Sequence, residues 1–279
     1  MWKSPRRPKP PKRLPKTSPD LEKQTAKFTL EKVSFAVFSL PRILHRMPQP
    51  IPTLEFEHAF WSRRMALIAG VDEAGRGAWA GPVVAGAVIL PRPRRVKNWW
   101  RDAAFRALSD ARDSKLLSPA QRARLVEPIR AAAIASATGL ASREEIDALG
   151  IVPATRLAME RAVQALGIIP DALLIDAGVA AHGRPPLPAF DAPQKSIIHG
   201  DQLSLSIACA SILAKVTRDQ LMVELDVRWP DYGFAQHKGY GTAAHRAALE
   251  RFGPSAVHRV SFAPMKDLAN SGSSREHSD

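Results

Sequence analysis

The chain has 279 residues, one cysteine and a formal net charge of +13, which allows one or two domains, excludes an internal disulfide and suits a polyanionic partner. The excess charge is uneven: residues 1–50 hold twelve Lys/Arg against three Asp/Glu, and residues 51–279 hold 28 against 24. No apolar run reaches the length of a membrane span, and Val33–Leu44, broken by Ser34, Ser39, Pro41 and Arg42, lacks a cleavage site, so neither membrane nor signal peptide is expected. Cys209 as its only thiol fits a reducing compartment, so the protein is expected to be cytoplasmic; it is also expected to be a monomer.

Residues 1–53, rich in Pro and Lys, show no period and are expected to be a disordered arm. Leu54–Arg64 suits a short amphipathic helix. Ile68–Val71 reads as a buried strand that breaks into Asp72-Glu73 and the turn Gly75-Arg76-Gly77. Pro82–Leu90 is a second strand, followed by a basic connection from Pro91 to Lys97, with Trp99 and Trp100 taken as packing residues. Ser118-Pro119 starts a helix to about Ala131, Ala132–Leu140 is a third strand, and Pro153–Leu166 has helical spacing. Ala172–Ile175 is a short buried strand ending at Asp176. A Pro/Gly/Ala loop follows, then Ser196–Ile198 as another short strand before Gly200-Asp201. Ser204–Leu225 is apolar nearly all round, the pattern of a buried helix. Asp231–Thr242 is a glycine-rich loop, Ala243–Phe252 a helix, and the last dozen residues are expected to be disordered. The catalytic body is placed at 54–266.

Asp72, Asp176 and Asp201 each stand at or just past a strand end, where open α/β sheets build their sites. Alone, each has an ordinary alternative: Asp201 suits an N-cap, Asp176 a turn, and Asp113 the cap of a helix after it. Brought together with Glu73, they would repel one another unless a cation intervened, and hard carboxylate oxygens suit Mg²⁺ or Mn²⁺.

Gly70-Val71-Asp72-Glu73-Ala74-Gly75-Arg76-Gly77, followed by Ala80-Gly81-Pro82-Val83-Val84-Ala85, resembles the signature of ribonuclease HII. Asp113-Ser114-Lys115, Glu145-Ile146-Asp147, Leu174-Ile175-Asp176, Gly200-Asp201, Ser206-Ile207-Ala208 through Ser211-Ile212-Leu213-Ala214-Lys215-Val216-Thr217-Arg218-Asp219, and Tyr232-Gly233-Phe234 with His237-Lys238-Gly239-Tyr240-Gly241-Thr242 follow in family order. The resemblance covers residues 65–264. It implies an α/β, ribonuclease H-like fold: a mixed five-stranded sheet flanked by helices, its first three strands antiparallel. It further implies a two-metal endonuclease that cuts the RNA strand of RNA/DNA hybrids and single ribonucleotides embedded in DNA, on their 5′ side, leaving a 3′-hydroxyl and a 5′-phosphate. The implied metal-binding and catalytic residues are Asp72, Glu73, Asp176 and Asp201. Gly75, Arg76 and Gly77 would meet the ribose 2′-hydroxyl and its phosphate, Tyr240 would pack on a sugar, and Lys115 would join the substrate contacts.

The chain departs from the family at Ala78-Trp79, at Ala177, at His199 and in the long Ala177–Pro193 loop. These positions bear on rate and substrate preference more than on reaction type. The rivals are a type HIII nuclease, against which the Pro-rich arm argues, and a non-catalytic basic binder, against which the four acids argue.

Overall fold

The structure, a computed structural model, describes residues 51–177 and 186–266. The expected disorder of residues 1–50 and 267–279, and the centre of the Ala177–Pro193 loop, lie outside the described residues. The ordered body already includes the last residues assigned to the arm: Pro52 is buried, and Thr53 forms a parallel bridge with Ser204.

Five strands form one sheet: β1 (Ile68–Ala74), β2 (Val83–Ile89), β3 (Ala135–Ala141), β4 (Ala172–Asp176) and β5 (Gln194–Ile197), in the order β3-β2-β1-β4-β5. The first three are antiparallel neighbours, while β4 runs parallel to β1 and β5 parallel to β4. This is the mixed sheet expected from the resemblance. Boundaries differ: β3 begins at Ala135 because α2 (Pro119–Ala132) runs on to Ala132, β5 is Gln194–Ile197 rather than Ser196–Ile198, and β1 is longer than expected. β1 does not break at Asp72: Asp72 pairs with Gly86, Glu73 with Ala85 and Ala74 with Val84. Both acids therefore sit on a rigid strand rather than on a turn, because β2 continues the ladder beyond the end of the parallel pairing with β4.

The two faces of the sheet are covered by different helices. On one face lies α6 (Leu205–Arg228), the long buried helix anticipated from its small residues. A Cβ at Gly70 would stand 2.3 Å from the Ser206 carbonyl carbon, and one at Gly86 would stand 2.3 Å from the Ala210 oxygen. Glycine at these strand positions thus sets how closely α6 approaches. On the other face, α3 (Arg143–Leu149) leads into α4 (Ile151–Gln164), whose Ala154, Ala158 and Ala162 are buried against β2 and β3. The segment expected to be a loop or short helix from Ala141 is this capped α3, with Ser142 and Glu145 forming a capping box.

Two further helices tie the frame together. In α1 (Glu55–Trp61), the buried Glu57 accepts hydrogen bonds from the Ser204 hydroxyl (2.7 Å), the Ser206 hydroxyl (2.6 Å) and the Ser206 N–H (3.0 Å). A carboxylate at that place also suits the positive end of α6. α2 (Pro119–Ala132) begins in a Ser118–Gln121 capping box, which explains why Ser-Pro marked its start. Beyond α6, the segment expected to be a glycine-rich loop contains a 3₁₀ turn (Pro230–Tyr232) and a short helix. With α5 (Gly200–Leu203) in its place before α6, this short helix is α7 (Phe234–His237), and α8 (Ala243–Phe252) closes the body.

Candidate active site

The register of β1 and β4 builds the site. Val71 pairs with Ile175, so the next residue on each strand is an aspartate. Strand alternation places Asp72 on the face of Ile68 and Gly70, and Asp176 on that of Ala172 and Leu174, which is the face covered by α6. Glu73 leaves β1 on the opposite face, but its longer side chain compensates. One carboxylate oxygen from each of Asp72, Glu73 and Asp176 lies within 4.8 Å of the others. Asp72 is 5 % exposed, its Oδ1 accepts from the Glu73 N–H (2.7 Å), and Asp176 Oδ1 accepts from the Gly200 N–H (2.7 Å). Glu73 Oε2 is buried and has no hydrogen-bond partner among the described residues.

The electrostatics match that crowding. Burial, then the charges of Glu73 and Asp176, push the Asp72 carboxyl well above its ordinary range, against a weaker opposing effect of the Ser211 hydroxyl. Burial also raises Glu73, partly offset by the Arg76 guanidinium 3.5 Å away. A cluster that resists ionisation by itself, with one buried oxygen unsatisfied, is the environment in which a divalent cation removes an electrostatic penalty.

Asp201 does not belong to the three-oxygen cluster. It lies in α5, 4 % exposed, with its Oδ2 3.9 Å from the Lys115 Nζ. Burial and the neighbouring Asp113 push its carboxyl up to about 6, with Lys115 opposing. It is not the N-cap of α6; Ser204 fills that place. Burial lowers the Lys115 ammonium pKa, but the charges of Asp201, Asp113, Asp72 and Asp176 together outweigh burial and raise it. Asp113, read as the cap of the α2 helix, caps instead the 3₁₀ turn Ser114–Leu116 through the Lys115 N–H (2.9 Å) and accepts from Gln202 Nε2 (3.2 Å). It is thus a buried fifth acid beside Asp201. The signal for it was present in Asp113-Ser114-Lys115. His199, which precedes α5, takes a left-handed conformation (φ 55°), one that histidine tolerates better than bulkier residues do.

The glycine turn has a scaffold that sequence reasoning missed. Gly75 has φ +93°, and a Cβ there would stand 1.8 Å from Arg218 Nε, so only glycine fits. Nothing would obstruct a Cβ at Gly77, which faces open space. Two buried arginines hold the turn from below. Arg259 donates to the carbonyls of Gly81 (3.0 Å), Arg76 (2.9 Å), Gly75 (2.8 Å) and Pro82 (3.1 Å). Arg218 donates to those of Pro82 (3.0 Å), Lys238 (3.0 Å) and Ala80 (3.2 Å). Burial, then Arg218, lower the Arg259 pKa to about 9. No local spacing marks these arginines, because their partners are carbonyls far away in sequence.

Tyr240 is 37 % exposed, with the Arg218 guanidinium 5.4 Å from its ring centroid. Its loop is pinned by histidines. His258 Nδ1 accepts from the Ser255 N–H (2.9 Å), which places the proton on Nε2, facing His245 Nε2 at 2.9 Å. His245 Nδ1 is then the donor to the Tyr240 carbonyl (3.0 Å). Burial lowers both rings to about 4, so the chain of donors is neutral. Trp79, one of the departures from the family pattern, packs on Gly241, where a Cβ would stand 2.2 Å from its indole, and beside His245. Tyr232, by contrast, is core: its ring stacks on Phe234 at 5.5 Å and its hydroxyl donates to the Gly253 carbonyl (2.8 Å).

The family model described as ribonuclease HII matches residues 69–265. A ribonuclease HII from Roseiflexus castenholzii is 50 % identical over 218 residues, covering 78 % of this chain and 91 % of the relative. One from Thermus thermophilus is 48 % identical over 209 residues, covering 75 % and 92 %. The crystal structure of ribonuclease H2 from Pyrococcus horikoshii shares the fold, with a TM-score of 0.60 at 24 % identity over 74 % of this chain and 98 % of that one. The matched span begins within β1 and takes in the acids, the glycine turn, both buried arginines and the histidine-pinned loop, and the chain belongs to the ribonuclease HII family, the type HII ribonucleases H.

Proposed function

We propose that this ribonuclease H hydrolyses the RNA strand of RNA/DNA hybrids and single ribonucleotides within duplex DNA, cutting on the 5′ side with two divalent cations. The observation that carries the reading is the trio of carboxylate oxygens within 4.8 Å, one residue of which keeps a buried oxygen without a partner. An all-oxygen donor set suits Mg²⁺ or Mn²⁺. Asp72, Glu73 and Asp176 would hold one cation, and Asp201 would contribute to the second. When bound, such cations supply charge that activates the attacking water and stabilises the leaving 3′ oxygen, so that a 5′-phosphate results.

The chain's own residues orient the substrate. Lys115, charged and with an 82 % exposed side chain beside Asp201, is placed to meet a phosphate oxygen at the rim. Arg259 holds the Gly75 and Arg76 carbonyls and so fixes the turn, whose N–H or C=O groups would meet a sugar hydroxyl. Gly77, with open space where a Cβ would be, lets a nucleotide come close. The 2′-hydroxyl is the one group that separates ribose from deoxyribose. Tyr240 would lie against the neighbouring sugar, a contact that tolerates deoxyribose.

The test is incubation with Mg²⁺ and an end-labelled DNA duplex carrying one ribonucleotide, with mapping of the product ends. Cleavage 5′ to the ribonucleotide and none of the all-DNA duplex is expected. A requirement for several consecutive ribonucleotides, or equal cleavage of the 2′-deoxy control, contradicts the reading.

A further inference from the structure

Residues 91–106, which leave β2 at its far end, hold six Lys/Arg and one Asp/Glu, while the remainder of residues 51–279 holds 22 against 23. All of the body's positive excess therefore lies in this short segment. Arg92, Arg94, Arg95, Lys97, Arg101 and Arg106 are exposed, and among the described residues none is ion-paired with a carboxylate. The one acid, Asp102, accepts from the N–H groups of Arg94 (3.4 Å) and Ala104 (3.3 Å) and so braces the backbone.

The segment is anchored. Trp99 and Phe105 are buried in the core under α1, their rings 6.2 Å apart. Trp100, taken from the sequence as a packing residue, is instead 45 % exposed, standing edge-on to Trp99 at 6.0 Å. Beside it, Arg94, Arg95, Asn98 and Arg101, with Asp102 and Ala103, line a concavity of about 510 Å³, in which three guanidiniums outnumber the one carboxylate. Because β2 runs antiparallel to β1, this surface starts at the end of the sheet away from the carboxylates, and a seven-residue strand spans about 20 Å.

We propose that residues 91–106 form a second, sequence-independent surface for duplex nucleic acid, separate from the catalytic groove. Phosphates seat on the guanidiniums of Arg94, Arg95 and Arg101, whose planar forks match phosphate oxygens, and the Trp100 indole covers a neighbouring sugar. A surface of this kind holds the enzyme on DNA without reading the ribonucleotide, because phosphate contacts position and do not specify.

The test uses the full chain and a labelled 30-base-pair DNA duplex without ribonucleotides, with affinity measured by anisotropy between 50 and 200 mM KCl. The Arg94→Ala/Arg95→Ala/Arg101→Ala variant is expected to bind at least about tenfold more weakly at 50 mM, with a log–log salt slope reduced by about 2.7, three phosphate contacts' worth. Trp100→Ala, which leaves the charge unchanged, lowers affinity severalfold at the wild-type slope. Turnover of a saturating ribonucleotide-containing duplex is retained in both variants, which shows that they fold and separates this surface from the catalytic reading. The control Arg124→Ala/Arg228→Ala/Arg251→Ala removes the same charge elsewhere. If the first variant binds like wild type, or if the control loses as much affinity and slope, the surface is not a nucleic-acid site.

Discussion

The carboxylate cluster and the glycine turn are neighbours at one end of the sheet, yet they treat their polar groups in opposite ways. Around the turn, every carbonyl that Arg218 and Arg259 reach is satisfied, and the histidines beyond it form a directional chain of hydrogen bonds. At the cluster, three acids crowd together, carboxyls are pushed up, and Glu73 Oε2 has no partner. The difference separates a scaffold, which is complete without ligand, from a site, which is completed by one. Changes to the first should cost stability and changes to the second should cost chemistry.

The largest expected effect is chemical. Asp72→Asn or Asp176→Asn keeps the shape and removes a ligand charge, so turnover falls by at least about a hundredfold, the scale of losing a preorganised charge-stabilising group. The metal-free melting temperature does not fall, because one repelling charge has gone. Near-normal Mg²⁺-dependent cleavage by either variant would break the comparison on its catalytic side.

Next comes the scaffold. Arg259→Met strips donors from four carbonyls in a buried region, at a cost of about 3 kcal/mol or more in denaturant unfolding. Arg259→Lys should not restore it, since one ammonium cannot fork across four acceptors. A variant as stable as wild type would show that water replaces the guanidinium and that the turn supports itself.

The two tyrosines divide along the same line. Tyr232→Ala removes a buried, stacked ring and its hydrogen bond, costing about 3 kcal/mol of stability, while turnover per folded molecule is kept. Tyr240→Ala costs stability about 0.5 kcal/mol but lowers kcat/KM for a single-ribonucleotide duplex about tenfold or more. The reverse pattern in melts and kinetics would exchange their roles.

The smallest effect is one of pH. Asp201, raised from 3.8 to about 6, takes up its proton more readily folded than unfolded, so its contribution makes stability fall as pH rises from 3.8 to 6. His245 and His258, lowered from 6.5 to about 4, resist protonation when folded, so their contribution makes stability rise across pH 4 to 6.5. Site and scaffold therefore oppose each other in one window. Asp201→Asn should make the slope of unfolding free energy against pH more positive over that window, measured in EDTA. An unchanged slope would mean that Asp201 ionises freely.

Much of this was legible in the sequence, for identifiable reasons. Strands β1, β2 and β4 announce themselves as apolar runs, and Ser118-Pro119 and the small-residue α6 carry local signals. The four acids stood out through the Gly70–Gly77, Leu174–Asp176 and Gly200-Asp201 motifs. What local patterns do not carry is long-range pairing. The continuation of β1 through Glu73 depends on β2, and the tethering of Gly75 depends on Arg259, 184 residues away. Asp113 looked like a cap and is one, but tertiary packing also places it beside Asp201. Trp100 could not be told from Trp99 by spacing, since only the turn at Val96–Arg101 decides which indole faces the core.

The central claim is that the cluster is a site completed by divalent cations, and calorimetric titration of Mn²⁺ or Mg²⁺ into the metal-free protein near neutral pH tests it most directly. The wild type should bind, and more weakly as the pH is lowered, because carboxyls whose pKa burial and crowding raise hold protons that compete with the cation, and Asp72→Asn should lose the binding. Equal binding by Asp72→Asn, or no detectable binding by the wild type, would contradict the account.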